Sequence, residues 1–136
     1  MRLVFLLLIS LFAVQCSAQT KQITTFVLVR HAEKATDGTK DPDLTAEGQN
    51  RAQNLAALLA KENITAIYST DFKRTRQTVA PLAANKGISI ETYEPFKADA
   101  IEAMLKKHAG GTVVISGHSN STPWIANLLL GKDTFT

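Results

Sequence analysis

Beyond its first two dozen residues the chain repeats one pattern: a short run of β-branched and aromatic residues, a polar turn, then apolar residues at helical spacing. Strand-like runs are read at Ile23–Val29, Ile64–Tyr68, Ile88–Tyr93 and Thr112–Ser116. Helical connections between successive strands imply parallel pairing, because a parallel neighbour is reached only by a crossover. The expected fold is α/β: a three-layer α/β/α sandwich with a mostly parallel central sheet. Ile23–Val29 carries apolar side chains on both faces, as a buried strand does, and stops at Arg30-His31.

The helices are bounded by local signals. After a polar loop containing Asp37-Gly38 and Asp41-Pro42, Thr45 is placed to cap a helix that presents Ala52, Leu55, Ala56 and Leu59 on one face. Glu47 then sits in its positive first turn. Asp71 is placed to cap the next helix, which runs toward Asn85-Lys86-Gly87. Pro81 lies inside it and removes the bond to the Gln77 carbonyl, so a kink or restart is expected there. Ile101, Met104 and Leu105 mark the core face of a third helix. Thr122 as cap and Pro123 at the first helical position open a last one through Leu130, closed by Gly131.

With 136 residues, 45% of them hydrophobic and 20% charged, the chain fits one domain with a core of its own. Residues 1–18 read as a secretory signal: Arg2, an apolar run from Leu3 to Val14, then Cys16-Ser17-Ala18 with cleavage after Ala18. The domain then occupies residues 19–136 and is exported, periplasmic or secreted. The apolar run is about a dozen residues, short of the roughly 20 that span a bilayer, so no membrane span is expected. A lipoprotein acylated on Cys16 is disfavoured by Gln15, where a small residue is required. Cys16 is the only cysteine, so the processed chain forms no disulfide and no thiolate metal site. The formal charge of +3 is spread among acids without a basic run, which argues against nucleic acid as a partner. Oligomeric state leaves no mark in the sequence.

In a parallel sheet, ligands bind beyond the carboxyl ends of the strands, and the unusual residues fall there. Arg30-His31 follows the first strand, Ser69 to Arg74 the second, and Gly117-His118 the fourth. Two histidines and two arginines suit phosphate chemistry. Guanidinium groups bind a phosphate dianion bidentately, helix N-termini add N–H donors, and a neutral imidazole can accept and pass on the phosphoryl group.

These segments, Val29-Arg30-His31-Ala32-Glu33-Lys34, Leu44-Thr45-Ala46-Glu47-Gly48 with Arg51-Ala52, Tyr68-Ser69-Thr70 leading to Arg74-Thr75-Arg76-Gln77-Thr78, and Ser116-Gly117-His118-Ser119-Asn120, resemble the histidine phosphatase superfamily, which is phosphoglycerate mutase-like in fold. The resemblance implies a phosphomonoesterase with His31 as the phosphorylated nucleophile. It makes Arg30 and Arg74 phosphate-binding arginines, and His118 a second pocket histidine that donates to a phosphate oxygen. It implies a small phosphate ester or a phosphoprotein as substrate, and neither metal nor other cofactor. Larger members take a proton donor from the segment after the third strand. Here that segment offers Glu94, nearer the strand end, and Asp99. Members usually continue into at least one further strand, so this chain is expected to be a shortened or incomplete form.

Other chemistries compete for the same residues. Gly117-His118-Ser119-Asn120-Ser121 resembles a nucleophile elbow, which would make Ser119 the centre of an acyl hydrolase, yet its fifth position is serine and no histidine follows Ser119. A metal site of His31, His118 and Glu33 is geometrically conceivable. A phosphate-binding module without turnover is the non-enzyme reading. His108, at a helix end, and Trp124 read as structural.

Overall fold

The computed structural model describes residues 22–136, so the signal expected over residues 1–18, with Cys16, lies outside the described residues. Four strands alternate with four helices: β1 (Thr25–Arg30), α1 (Ala46–Leu58), β2 (Ile64–Ser69), α2 (Lys73–Lys86), β3 (Ile90–Thr92), α3 (Ala98–Lys107), β4 (Thr112–Gly117) and α4 (Ser121–Leu130). The strands form one parallel sheet in the order β1-β4-β2-β3.

Because side chains alternate across a strand, the apolar runs feed two separate cores. Val27 and Val29 of β1, Ile67 of β2 and Val114 of β4 pack with Ala56, Leu59, Val79 and Leu82, beneath α1 and α2. Their neighbours Phe26, Leu28, Ala66, Tyr68, Val113 and Ile115 pack on the other face with Ile101, Met104 and Ile125, beneath α3 and α4. The result is the expected three-layer α/β/α sandwich. Burying each such Val, Leu or Ile is worth about 1.5–3 kcal/mol, so the packing of these two cores holds the layers together.

Several boundaries differ from the sequence reading. β1 begins at Thr25, where pairing with Thr112 starts, and Ile23 is exposed. β3 shortens to Ile90–Thr92 because only these residues pair with β2. α2 runs unbroken through Pro81. Gln77 and Pro81 line a surface cleft with Gln49 and Gln53, on the side of the helix where the proline leaves a carbonyl without its helical donor. Asp71 does not cap α2; Phe72 holds that position with no side-chain bond, and the carboxylate of Asp41 accepts from Lys73 N at 3.0 Å instead. Asn120, not Thr122, holds the cap position of α4, with no side-chain bond, and the helix starts at Ser121, two residues before Pro123. Pro123 is tolerated because it still lies in the first turn, whose N–H groups have no helical partner. Leu105 is exposed, whereas Ile101 and Met104 are buried: α3 turns only one narrow face inward.

Thr45, Gly87 and Gly131 act as the caps the sequence suggests. Thr45 Oγ1 accepts from Gly48 N at 3.1 Å. Gly87 and Gly131 both adopt φ 65°, the left-handed conformation that lets a helix end without side-chain strain. Trp124 packs against Phe96 with ring centroids 5.5 Å apart, and His108 Nε2 lies 3.0 Å from the Tyr68 hydroxyl.

Candidate active site

The register of the sheet fixes where the site falls. Arg30 pairs with Gly117, and Ser69 pairs with Ser116 and with Thr92. Strands that end level deliver the residues after them to one rim, and His31 and His118 meet there with ring centroids 5.5 Å apart in an edge arrangement. His31 N donates to the Gly117 carbonyl at 2.9 Å, which ties the residue after β1 to the last residue of β4.

His31 is held in one orientation. Its Nδ1 lies 2.8 Å from the Ala32 carbonyl oxygen. A carbonyl can only accept, so Nδ1 carries the proton and the lone pair of the neutral ring sits on Nε2. Burial pushes the ring's pKa below the ordinary histidine value, and the charges of Arg74, Arg30 and Lys34 push it the same way, against the favourable bond to Ala32. His118 is lowered for the same leading reason, burial, followed by the charges of Arg74, His31 and Arg30. Both rings are therefore neutral near pH 7, the form in which imidazole is a nucleophile.

Arg74 arrives from the first turn of α2. Its guanidinium carbon stands 4.3 Å from the centre of the Phe72 ring, and its Nη1 lies 3.5 Å from Asp41 Oδ1. Its Nε is buried and has no hydrogen-bond partner. An unpaired buried donor on a cation is costly, and an oxyanion would satisfy it. Arg30, the last residue of β1, is exposed, and its charge lowers both histidines. The structure thus gathers Arg30, His31, Arg74 and His118 on one rim.

The stretch Arg74 to Thr78 explains why α2 is anchored so firmly. Arg74, Gln77 and Thr78 share one helical face by their spacing. Gln77 Oε1 accepts from Leu44 N at 2.8 Å, and its amide donates to Asp43 at 2.7 Å. Thr78 Oγ1 accepts from Ala32 N at 2.9 Å. One helix face therefore clamps the loop of residues 35–43 and the segment that carries His31.

Glu94 stands apart from this group. It is exposed, ion-paired with Lys97, and makes no hydrogen bond to His31, His118 or Arg74. Asp99 lies in the first turn of α3. Glu33 is drawn off to an ion pair with Arg51, which removes it from the conceivable metal set; among the described residues no group of three His, Cys, Asp or Glu could hold a metal ion. Ser119 is exposed, and among the described residues no histidine bonds its hydroxyl. Sequence reasoning missed Phe72, Asp41, Thr70 and Thr75. Only the run of polar residues directly after a buried strand hinted at the last two.

Residues 26–97 match the sequence pattern of the histidine phosphatase superfamily (branch 1), and the chain belongs to that family. Phosphoserine phosphatase 1 of Hydrogenobacter thermophilus is 37% identical over 70 residues, 47% of this chain and 33% of that protein. The chain spans about a third of the length of the curated relatives it matches. Among solved structures, an Entamoeba histolytica phosphoserine phosphatase in complex with 3-phosphoglyceric acid superposes with a TM-score of 0.68 at 18% identity, covering 82% of each chain. The protein histidine phosphatase SixA complexed with tungstate gives a TM-score of 0.65 at 18% identity, covering 75% of this chain and 74% of the other. At such identities the likeness establishes the phosphoglycerate mutase-like fold.

Proposed function

We propose that the protein is a phosphomonoesterase that works through a phosphohistidine on His31. The observation that carries this reading is the pairing of a neutral His31, whose Nδ1 is engaged by the Ala32 carbonyl, with a buried, unpaired guanidinium nitrogen on Arg74. One supplies a lone pair on Nε2; the other is a cationic donor suited to an oxyanion.

In the reaction, His31 Nε2 attacks phosphorus in line, the bond to the leaving oxygen breaks, and an acid protonates the departing alcohol. Arg30, Arg74 and His118 hold the equatorial oxygens, where charge spreads in the transition state. Water then attacks the phosphohistidine and releases inorganic phosphate. Glu94 is the candidate acid by its place after β3, with Asp99 the alternative; for Glu94 to serve, its ion pair with Lys97 must open. The names of the relatives, phosphoserine phosphatase and protein histidine phosphatase, support a small phosphate ester or a phosphoprotein as substrate. Export rests on residues 1–18 and places such a substrate outside the cytoplasm.

Hydrolysis of an aryl phosphate by the wild-type protein, abolished in His31→Ala, is the expected result. A wild type that binds phosphate without turnover would instead make the protein a phosphate-binding module.

A further inference from the structure

A chain of hydroxyl groups runs from His118 into the interior of the domain. Thr70 Oγ1 lies 3.0 Å from His118 Nε2 and 3.0 Å from Thr75 Oγ1. Thr75 Oγ1 in turn lies 3.0 Å from the carbonyl oxygen of Thr70 and 2.9 Å from that of Phe72. Thr70 and Thr75 are 1% and 0% exposed, so solvent offers neither of them a partner.

The direction of these bonds follows from counting protons. Each hydroxyl has one to give, and a carbonyl has none. The Thr70 carbonyl already accepts from Phe72 N and Ser69 Oγ, so Thr75 donates its one proton to the Phe72 carbonyl, Thr70 donates to Thr75, and Thr70 Oγ1 is left to accept from His118. Run the other way, with Thr75 donating to Thr70 and Thr70 to His118, the same atoms form two hydrogen bonds in place of three, and the contact with the Phe72 carbonyl loses its proton. In a buried network the arrangement with more bonds made is favoured.

We propose that Thr70, oriented by Thr75, is a positioning residue that holds His118 as its Nε2–H tautomer and so offers Nδ1 to the phosphate. The inference rests on His118 as a phosphate ligand. It adds a proton requirement: in the neutral ring Nδ1 carries a lone pair, so it can bond a phosphate oxygen only if a proton enters that contact. The rings of His31 and Phe72 meet that of His118 edge-on, and the charged groups that act on it are Arg74 from the start of α2 and Arg30 from the end of β1. No carboxylate is among them, so the bound oxyanion itself supplies the countercharge that lets Nδ1 take up the proton.

The test is nitrogen-15 NMR of the histidine rings at a pH where they are neutral, in the full processed chain. His118 should show a pyrrole-like Nε2 and a pyridine-like Nδ1. Sulfate, a dianion across the whole range, should raise the midpoint at which Nδ1 protonates. Thr70→Val should mix the tautomers and lower kcat on the order of ten- to a hundredfold, the usual loss when the partner that orients a functional histidine is removed; Thr70→Ser should restore both. A wild-type His118 protonated on Nδ1 would overturn the proposal, as would a Thr70→Val protein with unchanged tautomer and kcat. Should Thr70→Val fail to fold, Thr75→Val tests the same chain and the wild-type spectrum still decides the tautomer. Because the spectrum needs no turnover, an inactive wild type would refute the phosphatase reading while this assignment stood or fell by itself.

Discussion

Gly48 lies in the first turn of α1, where the helix is docked against the backbone that follows the nucleophile. A Cβ built there would stand 2.2 Å from the Glu33 carbonyl oxygen, 3.0 Å from its carbon and 3.1 Å from Glu33 N. The first contact is 0.8 Å short of the 3.0 Å below which real Cβ atoms essentially never approach, and both sides are backbone, so neither can rotate away. In an open helix, alanine in place of glycine is favourable by roughly 0.5–1 kcal/mol. Here the overlap costs about 1–3 kcal/mol. Moving Glu33 also strains its bond from Thr45 N at 2.9 Å, worth about 1 kcal/mol. The net expectation for Gly48→Ala is a destabilisation of about 1–3 kcal/mol, or a fall in Tm of roughly 4–12 °C for a domain of this size. Glu33 is two residues from His31, and misplacing a reacting group by about 1 Å can cost on the order of a hundredfold in rate. Thermal unfolding followed by circular dichroism, with aryl phosphate hydrolysis measured well below the transition, tests both parts. A variant at least as stable as the wild type would refute the reasoning, because intrinsic helix propensity would then have prevailed over the contact.

Two further perturbations bear on the site. Arg74→Met should lower kcat/KM on the order of a hundredfold or more, by loss of one preorganised charge-stabilising donor, with the circular dichroism spectrum unchanged; unaltered kinetics would remove Arg74 from the phosphate site. Burial holds the His31 and His118 pKa values below the ordinary one, so as pH falls from about 6.5 toward the lowered values the unfolded chain binds more protons than the folded one. Stability is then full above the ordinary value and lost through that window. Urea midpoints should fall on acidification, and less so in a variant carrying both His31→Asn and His118→Asn; equal slopes would refute the assignment.

The elements that were legible in the sequence are those whose causes are local. Two cores follow from alternation within β1, β2 and β4, because a strand turns successive side chains to opposite faces whatever surrounds it. The caps at Thr45, Gly87 and Gly131 were readable for the same reason: a side-chain acceptor or a left-handed φ acts within a few residues. Pro81 shows the limit of such reading, since whether a missing hydrogen bond kinks a helix depends on what lies beside its carbonyl.

The sequence by itself determined the chemistry available: which residues end each strand, and hence that two imidazoles and two guanidiniums come after strands that must run parallel. Tertiary structure decided how those groups are held. Asp41 reaches 32 residues along the chain to cap α2, Thr78 reaches 46 to bind Ala32 N, and Thr70 reaches 48 to His118. A hydrogen bond acts over about 3 Å, so partners so far apart in sequence meet only after the sheet register has set the strand ends level, and nothing local to either residue announces the other.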